Sequence, residues 1–289
     1  MVALEVAFLV VFWSWVFCAL LFLRNTVLPH LPVGRTPDLL QLPFETIQFS
    51  STDGVPLQGW IIASDPAQPW IILCHGLGSD RSDLLEIAAG LHRARFNLLL
   101  FDFRGHGGSA GRVTSFGWWE QRDVEGALAF LGAHPDIPPR RYGVYGISMG
   151  AAVALMAAAN DERIGAVAAD SPYTDLEASL HRHVRLMYPL LPTVPFHWFV
   201  LSAYRLRFGV WPGQVSALER ISQLSPRPVL LIQGANDPRM TLAEAKQLFG
   251  RAAEPKQLWV IEGAGHLEGF SIDPEAYLAR VASFFHAHL

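Results

Sequence analysis

A serine between two glycines is the residue of this chain whose type and setting best suit covalent chemistry. Ser148 stands in Gly-Ile-Ser-Met-Gly, directly after an apolar run and before a stretch of small residues. Gly146 and Gly150 remove side chains where a strand would turn sharply into a helix, and the small residues would let that helix pack closely. The turn would expose the Ser148 hydroxyl at a helix amino end, whose partial positive charge favours developing negative charge. The pattern predicts a nucleophile, with a helix-capping serine as the alternative.

A nucleophilic serine needs a general base, and the chain offers eleven histidines. His266, in Gly-Ala-Gly-His, follows the last predicted strand, at the sheet edge where the other strand-end loops should lie. His106, in Arg-Gly-His-Gly, also follows a strand, but the turn around it is typical of a structural loop. We therefore predict that His266 is the base.

The base in turn needs a carboxylate to hold its tautomer. Asp237, in Gly-Ala-Asn-Asp-Pro, follows the penultimate predicted strand, so its loop is adjacent in order to that of His266. Asp170 ends the strand before a long insertion and would reach the same edge. Its other possible role is to order the turn into Ser171 and Pro172. The order of the loops favours Asp237 as the acid.

The elements that would position these residues alternate between strand and helix. Two extended runs around Ser51–Gly54 predict an antiparallel hairpin, and six nearly continuous apolar runs then predict strands buried on both faces. The strands are expected at Trp70–Gly76, Phe96–Phe103, Arg141–Ser148, Ile164–Asp170, Pro228–Gly234 and Gln257–Gly263. Helices are expected at Asp80–Arg93, Phe116–His134, Ser148–Asn160, Thr241–Arg251 and Asp273–His288. This order predicts an α/β fold with a mainly parallel, doubly wound sheet and ligands at the carboxyl ends of its strands.

The first residues have a different character. Val2–Leu23 is apolar apart from Glu5, and about 22 residues at about 1.5 Å each would cover the hydrocarbon core of a bilayer. A signal peptide is the alternative, but the basic start and the small-residue cleavage site that it requires are not evident. Arg24 and Arg35 follow the run, and the positive-inside tendency then weakly favours a cytoplasmic catalytic domain.

We divide the chain accordingly into a transmembrane anchor (1–24), a Pro-rich linker (25–43) and an α/β domain (44–289). With 51% hydrophobic residues, 17% charged residues, a net charge of −4 and two cysteines, a disordered polyelectrolyte and a disulfide-stapled miniprotein are excluded. The same charge balance provides no excess of Lys and Arg to neutralise the phosphates of a nucleic acid, so we expect no nucleic-acid partner.

An aromatic-rich insertion, at about 172–225, interrupts the alternation, and loops of this length are usually functional lids when they are ordered. Its large side chains would line an apolar acyl channel, or they would only pack the cap against the domain, and the sequence leaves both open. The candidates are Leu186, Met187, Tyr188, Trp198, Phe199, Tyr204, Phe208 and Trp211. His181 and His183 without nearby Cys or acidic ligands make a weak zinc site, so we predict no metal.

The order Ser148, Asp237, His266 is that of the α/β-hydrolases. From residue 44 to its end the chain resembles the α/β-hydrolase superfamily, through His-Gly-Leu-Gly at 75–78, Asp-Phe-Arg-Gly-His-Gly-Gly-Ser at 102–109 and the three motifs quoted above. The resemblance implies that the backbone N–H groups of Leu77 and Met149 form an oxyanion hole, and that the 102–109 turn is structural.

With its apolar first segment and Asp-Ser-Pro-Tyr at 170–173, the chain looks most like membrane-anchored serine hydrolases that include protein depalmitoylases and acylglycerol or lysophospholipid lipases. That likeness implies cleavage of esters or thioesters of apolar acyl chains through an acyl-enzyme, without a cofactor, on a lipid or small-molecule ester. Two features depart from the group: Pro238-Arg239-Met240, where many relatives have a valine and a proline, and the long insertion. A membrane-tethered binding protein without catalysis and a serine peptidase are the alternatives.

Overall fold

A computed structural model describes residues 2–29, 33–65, 67–135, 137, 141–187, 189 and 193–289, with the side chains of 2–4, 7, 187 and 193–195 left out. Eight strands form one sheet in the order β1-β2-β4-β3-β5-β6-β7-β8. The strands are β1 Glu45–Ser50, β2 Pro56–Ile62, β3 Trp70–Cys74, β4 Asn97–Phe101, β5 Tyr142–Ile147, β6 Ile164–Asp170, β7 Val229–Gly234 and β8 Lys256–Ile261.

The sheet is parallel from β4 to β8, and only the first two strands run against their neighbours. β1 and β2 form the predicted hairpin, and β2 pairs antiparallel with β4. β3 pairs with β4 on one side and with β5 on the other, so the order in which successive strands are added to the sheet reverses at β3. The carboxyl ends of β3 and β5 therefore flank the crevice where ligands bind in such sheets.

Helices cover both faces of the sheet. They are α1 Val2–Thr26, α2 Leu85–Arg93, α3 Glu120–Ala133, α4 Met149–Asn160, α5 Leu176–Met187, α6 Thr193–Phe208, α7 Leu242–Arg251, α8 Gly269–Ile272 and α9 Pro274–His286. Alternate side chains of β5 serve the two cores: Val144 packs in the core that holds Leu128 of α3, and Tyr145 in the core that holds Phe285 of α9. Burial on both faces explains why the strands are nearly continuous apolar runs, and the predicted α/β fold is confirmed.

The first helix ends at Thr26, two residues beyond the end of the predicted anchor. By length and composition, it is the one helix in the described part of the chain that could cross a membrane. Its carboxyl half, in which Cys18, Ala19 and Phe22 are buried, packs on α6 of the cap. The Phe22 ring lies 6.0 Å from that of Tyr204, and the Trp15 Nε1–H donates to Ser202 Oγ at 2.8 Å. The helix is therefore partly a packed element of the domain.

The segment predicted as a linker is attached to the domain at both ends. Val27 forms an isolated antiparallel bridge with Val113, and the N–H of Leu28 donates to the carbonyl of Arg112 at 2.9 Å. Further along, Pro37–Leu40 forms a turn of 3-10 helix, between Arg35, which pairs with Glu86 of α2 at 2.6 Å, and Leu42, which is buried in the core. The insertion between β6 and β7 consists of α5, α6 and two further 3-10 turns, Pro212–Gln214 and Ile221–Leu224.

Candidate active site

Ser148 sits at a sharp turn between β5 and α4. Its backbone has φ 51° and ψ −118°, an uncommon conformation for a residue with a side chain. The Ser148 N–H donates to the carbonyl of Asp170 at 2.8 Å, which ties the turn to the end of β6. The side chain is half-buried at the carboxyl edge of the sheet. The strained turn thus presents the hydroxyl above the strands, as the motif predicts.

The glycine after the turn is required by a close backbone approach. A Cβ at Gly150 would overlap the carbonyl oxygens of Cys74 and His75, which are main-chain atoms that cannot swing aside. We expect Gly150→Ala to lower the free energy of unfolding by about 3 kcal/mol or more in urea denaturation. Gly250→Ala in α7, where no atom lies within 4 Å of the added Cβ, is the control and should raise it by about 0.5–1 kcal/mol. Equal stability of the two variants would contradict this account.

Three side chains from distant parts of the sequence form one hydrogen-bonded row. Ser148 Oγ lies 3.1 Å from His266 Nε2, and His266 Nδ1 lies 2.7 Å from Asp237 Oδ2. The imidazole side chain is 11% exposed and the Asp237 side chain is fully buried, so the carboxylate end of the row is shielded from water. A neutral imidazole in this row donates from Nδ1 to the carboxylate and offers Nε2 to the hydroxyl.

Asp237 is fixed by backbone donors. Its Oδ1 accepts from the N–H groups of Arg239 at 2.7 Å and Met240 at 3.0 Å. Burial raises the pKa of Asp237, but the hydrogen bond from His266 and these two N–H groups outweigh burial and hold the pKa below its ordinary value. Asp237 is therefore ionised at neutral pH, and the Pro238-Arg239-Met240 sequence supplies the turn that orients it.

Asp170, the competing acid, faces a different set of groups. Its carboxylate accepts hydrogen bonds from the hydroxyls of Tyr277 at 2.6 Å and Ser171 at 2.8 Å. Tyr277 OH in turn lies 2.9 Å from Tyr145 OH, in the core below the sheet edge. Burial raises the pKa of Asp170 in spite of these hydrogen bonds. The structure thus gives the contact with the imidazole to Asp237 and uses Asp170 to tie β6 to α9.

The loop after β3 lies beside the serine. A Cβ placed on Gly76 would sit 3.6 Å from the Ser148 Cβ, so the backbone of Gly76 passes close to the Ser148 side chain. Leu77 has an exposed side chain, whereas Met149 is buried at the first position of α4. The first N–H groups of a helix have no partner within it, so the Met149 N–H is a donor at the helix amino end.

Comparison with known proteins agrees with this architecture. A model of the alpha/beta hydrolase family matches residues 71–281. The chain belongs to the alpha/beta hydrolase family. It is 32% identical over 256 residues to an uncharacterized protein of Mycobacterium tuberculosis, covering 88% of this chain and 80% of that protein.

Two further relatives carry names that describe an activity. The esterase Pf2001 of Pyrococcus furiosus has a solved structure that superimposes with a TM-score of 0.75 at 27% identity, covering 90% of this chain and 99% of that one. A protein of Stachybotrys chlorohalonatus named polyketide transferase ATR5 is 26% identical over 294 residues, covering 83% of this chain and 96% of that protein. Together with the family, the esterase neighbour supports hydrolase chemistry in general.

Two histidines outside the row hold this hydrolase's loop after β3. His106 has its Nδ1 3.0 Å from the carbonyl of Arg104, and its Nε2 accepts from the N–H of Gly78 at 3.2 Å. His75 has its Nδ1 2.7 Å from the carbonyl of Gly76, and its Nε2 accepts from the N–H of Phe103 at 3.0 Å. Each ring therefore needs a neutral tautomer, with the proton on Nδ1, and both of its nitrogens are occupied by backbone.

These bonds make a pH-dependent contribution to stability. Burial lowers the pKa of both His75 and His106 to about 4, and the neighbouring His75 ring further disfavours a charge on His106. In the unfolded chain both histidines would titrate near 6.5, so below that pH the unfolded state binds more protons than the native state. Stability is thus lost as pH falls from about 6.5 towards 4, by about 1.4 kcal/mol per pH unit for each histidine.

The measurement is the free energy of unfolding at pH 7 and pH 5. We expect it to fall more over this interval in the wild type than in His106→Gln, which retains a neutral hydrogen-bonding side chain at that position. Comparing the two chains cancels the titration of the other buried groups. An identical pH slope would contradict the assignment.

Gln233 is a residue that the sequence did not reveal. It is buried at the end of β7, and its Nε2 donates to the carbonyl of Met240 at 2.6 Å and to that of Gly234 at 3.1 Å, with Asp237 Oδ2 at 3.4 Å. It therefore braces the loop that carries the acid. A polar residue inside an otherwise apolar strand, directly before Gly234, was the signal that could have identified it.

The predicted substrate-binding residues fall into three groups. Phe199 and Phe208 are buried in α6, with the Phe208 ring 5.1 Å from that of Trp119 and 4.7 Å from that of Tyr204. Exposed positions are occupied by Trp198 and Trp211, and also by Leu186. Tyr188 and the side chain of Met187 lie outside the described residues. The role of all three groups in substrate binding stays a prediction.

The two histidines weighed as zinc ligands have partners other than the residues of the row. The His181 ring packs edge-on against His197 at 4.9 Å, and His183 Nδ1 lies 3.0 Å from the carbonyl of Ser179. Among the residues that the structure describes, no group of three His, Cys, Asp or Glu side chains could hold a metal ion.

Proposed function

We propose that this hydrolase is a serine esterase that cleaves carboxylic esters or thioesters of apolar acyl chains through an acyl-enzyme on Ser148. The observation that carries the proposal is the row of Ser148, His266 and Asp237, joined at 3.1 Å and 2.7 Å. Nucleophile, base and orienting carboxylate within hydrogen-bond distance are what acyl transfer requires.

In the first half-reaction Ser148 Oγ attacks the acyl carbonyl while His266 Nε2 takes the hydroxyl proton. Asp237 stabilises the imidazolium that forms. The bond to the leaving group then breaks, His266 gives its proton to the departing alcohol or thiol, and the acyl-enzyme remains. In the second half-reaction His266 removes a proton from water, which attacks the ester, and Ser148 recovers its proton as the acid departs.

The developing oxyanion needs donors, and we assign them to the backbone N–H groups of Leu77 and Met149. The position of Gly76 beside Ser148 and that of Met149 at the start of α4 support this assignment. Each donor of this kind contributes about 3 kcal/mol to transition-state stabilisation. The His75 and His106 rings, which anchor the loop after β3, would keep the Leu77 donor in place.

The proposed substrate class rests on the apolar character of the first helix and the cap. α1 exposes Phe8, Trp13, Phe17 and Leu20, and we propose that it attaches the protein to a membrane. An esterase held at a lipid surface would meet long acyl chains there. Neither a metal nor an organic cofactor has a part in the mechanism.

The direct test is turnover of p-nitrophenyl esters and of acyl thioesters by the full-length chain, together with labelling by a fluorophosphonate. We expect both activities, with the label on Ser148. A folded chain that is inert to esters and thioesters would instead favour a binding protein on the same fold. Hydrolysis of amides in preference to esters would favour a peptidase.

The acyl channel gives a separate prediction on chain-length preference. Trp198→Ala is expected to shift the profile of kcat/KM across p-nitrophenyl esters of increasing length, while Leu206→Ala, at another exposed position on α6, should not. Phe208→Ala removes a packed ring and should lower the free energy of unfolding by about 3–5 kcal/mol. An unchanged profile in Trp198→Ala would indicate that the cap aromatics only pack.

A second candidate function is transfer of the acyl group to an acceptor other than water. The observation that favours it is the relative of Stachybotrys chlorohalonatus named as a polyketide transferase. Both functions share the acyl-enzyme, and they differ in what attacks it. Adding alcohols during p-nitrophenyl ester turnover and measuring the ratio of new ester to free acid separates them.

A further inference from the structure

The first helix has two halves with different surroundings. Its carboxyl half presents one stripe at helical spacing to the cap and the main domain, in which Cys18, Ala19, Phe22 and Thr26 are buried, while Phe17 and Leu20 on its other face are exposed. The stripe is secured by the hydrogen bond from Trp15 to Ser202 in α6. The amino half, up to Ser14, carries apolar side chains that are largely exposed: Val6, Phe8, Leu9, Val10, Val11, Phe12 and Trp13.

The length of the free half decides how deeply the helix can enter a bilayer. Residues 2–14 rise about 20 Å at about 1.5 Å per residue, whereas the hydrocarbon core is about 30 Å thick. Spanning would therefore need the docked half as well, and that half would carry the part of α6 around Ser202 and Tyr204 into the core with it. While the carboxyl half stays docked, the free half is long enough to enter one leaflet and too short to cross both.

Polar groups beside α6 oppose deeper insertion. A depression of about 710 Å³ next to its first turn is lined by Glu177, His181, Arg182, Arg185 and His197, among others. His197 Nε2 lies 3.5 Å from Glu177 Oε1. Ionised side chains are costly inside the hydrocarbon region, so this depression belongs at or outside the headgroups.

The two helices also show features of a membrane interface. The free half of α1 and Phe196 of α6 line an apolar groove of about 550 Å³. Trp13 on α1 is 63% exposed and Trp198 on α6 is 59% exposed, and tryptophan is enriched where headgroups meet acyl chains. The exposed apolar residues 6 and 8–12 precede Trp13 in α1, and the polar depression adjoins Trp198, whose ring lies 5.8 Å from that of His197.

We propose that α1 and α6 form one insertion surface that enters a single leaflet, with residues 2–12 among the acyl chains and with Trp13 and Trp198 at the headgroups. This inference rests on the membrane association proposed above and replaces a transmembrane span by a one-leaflet anchor. It also places the cap of the proposed esterase directly on the lipid surface. An acyl chain leaving the leaflet would meet α6 without crossing water.

Depth measurements on the full-length chain test the proposal. Val6→Cys, Trp198→Cys and Lys246→Cys place one fluorescent nitrobenzoxadiazole label each on the free half, on α6 and on the exposed face of α7. The wild-type chain, whose two cysteines are buried, is the labelling blank. Each chain is bound to phosphatidylcholine–phosphatidylglycerol vesicles that carry a nitroxide quencher either near the headgroup or near the end of the acyl chain, and thermal unfolding confirms that it is folded.

We expect the label at position 6 to be quenched more by the deep nitroxide than by the shallow one. The label at position 198 should show the opposite order, and the label at position 246 should be quenched by neither. A spanning helix would bring residue 6 to the far headgroups, so stronger quenching there by the shallow nitroxide would overturn the proposal. So would a label at position 198 that behaves like the one at 246.

Vesicle flotation separates the failure of this inference from that of membrane association. A chain that floats with vesicles but shows the wrong depth order contradicts the one-leaflet anchor alone. A chain that does not float contradicts both. Ester hydrolysis enters neither readout, so the assignment of Ser148 stands or falls on its own experiments.

Discussion

Ser148→Ala is expected to lower kcat/KM for a short p-nitrophenyl ester by about 10⁴-fold or more, because loss of the nucleophile leaves only binding and oxyanion stabilisation. The imidazole at 3.1 Å would have no hydroxyl to activate. Labelling by a fluorophosphonate should disappear in the same variant. The fold of the variant is checked by its free energy of unfolding, which a Ser→Ala change at a half-buried position should alter little.

The matched control is Ser283→Ala, which removes an exposed hydroxyl from α9, on the outside of the domain. It should keep the wild-type rate and the label. Hydrolysis by Ser148→Ala at the wild-type rate would remove Ser148 from the mechanism and with it the proposed acyl-enzyme.

The strands could be predicted from local sequence because each is buried on both faces. A run such as Ile164–Asp170 has no polar side chain before its last residue, and the structure buries every position. The order of strands in the sheet is a different matter. β3 pairs with β4 and β5 because of the paths of the connections from β3 to β4 and from β4 to β5. Nothing within Trp70–Cys74 itself specifies which strands lie beside it.

The start of α3 shows how a side chain can override periodicity. The pattern predicts a helix from Phe116, but the helix begins at Glu120. The Glu120 carboxylate accepts from the N–H groups of Ser115 and Gly117, which holds the preceding residues in a tight turn, and Phe116 has φ 56°. A buried carboxylate that satisfies backbone donors is a three-dimensional arrangement, so periodicity could not reveal it.

The candidate site was predictable to the extent that it depends on strand ends. Parallel strands deliver their following loops to one edge, so the loops of Ser148, Asp237 and His266 could be placed together from order alone. The supports of that site were not predictable. Gln233 and Tyr277 act through side-chain hydrogen bonds across the fold, and no local pattern specifies the partner of a buried polar group.

The first helix illustrates the same limit. Its composition predicts a membrane segment, because the helix carries apolar side chains on all of its faces. Composition does not show that a stripe with Cys18 and Phe22 packs on the cap, since the same residues suit lipid and protein equally well. The contact with α6 therefore emerges only from the structure, and it changes the depth that we infer.

Asp237→Asn is expected to reduce kcat by about 10⁴-fold, because an amide at 2.7 Å from Nδ1 no longer favours the tautomer that leaves Nε2 free to accept the serine proton. The loop should keep its shape, since the amide oxygen can still accept from the N–H groups of Arg239 and Met240. The loss should therefore appear in kcat, while the free energy of unfolding changes little.

Asp170→Asn is the matched comparison, because it makes the same chemical change at the other carboxylate of the sheet edge. Its amide oxygen can still accept from Tyr277, and it has no contact with the imidazole to lose, so we expect kcat within about tenfold of the wild type. If Asp170→Asn lost more activity than Asp237→Asn, the acid would have to be reassigned to β6. Because the two variants differ only in which carboxylate loses its charge, their ratio decides between the two acids without reference to the substrate.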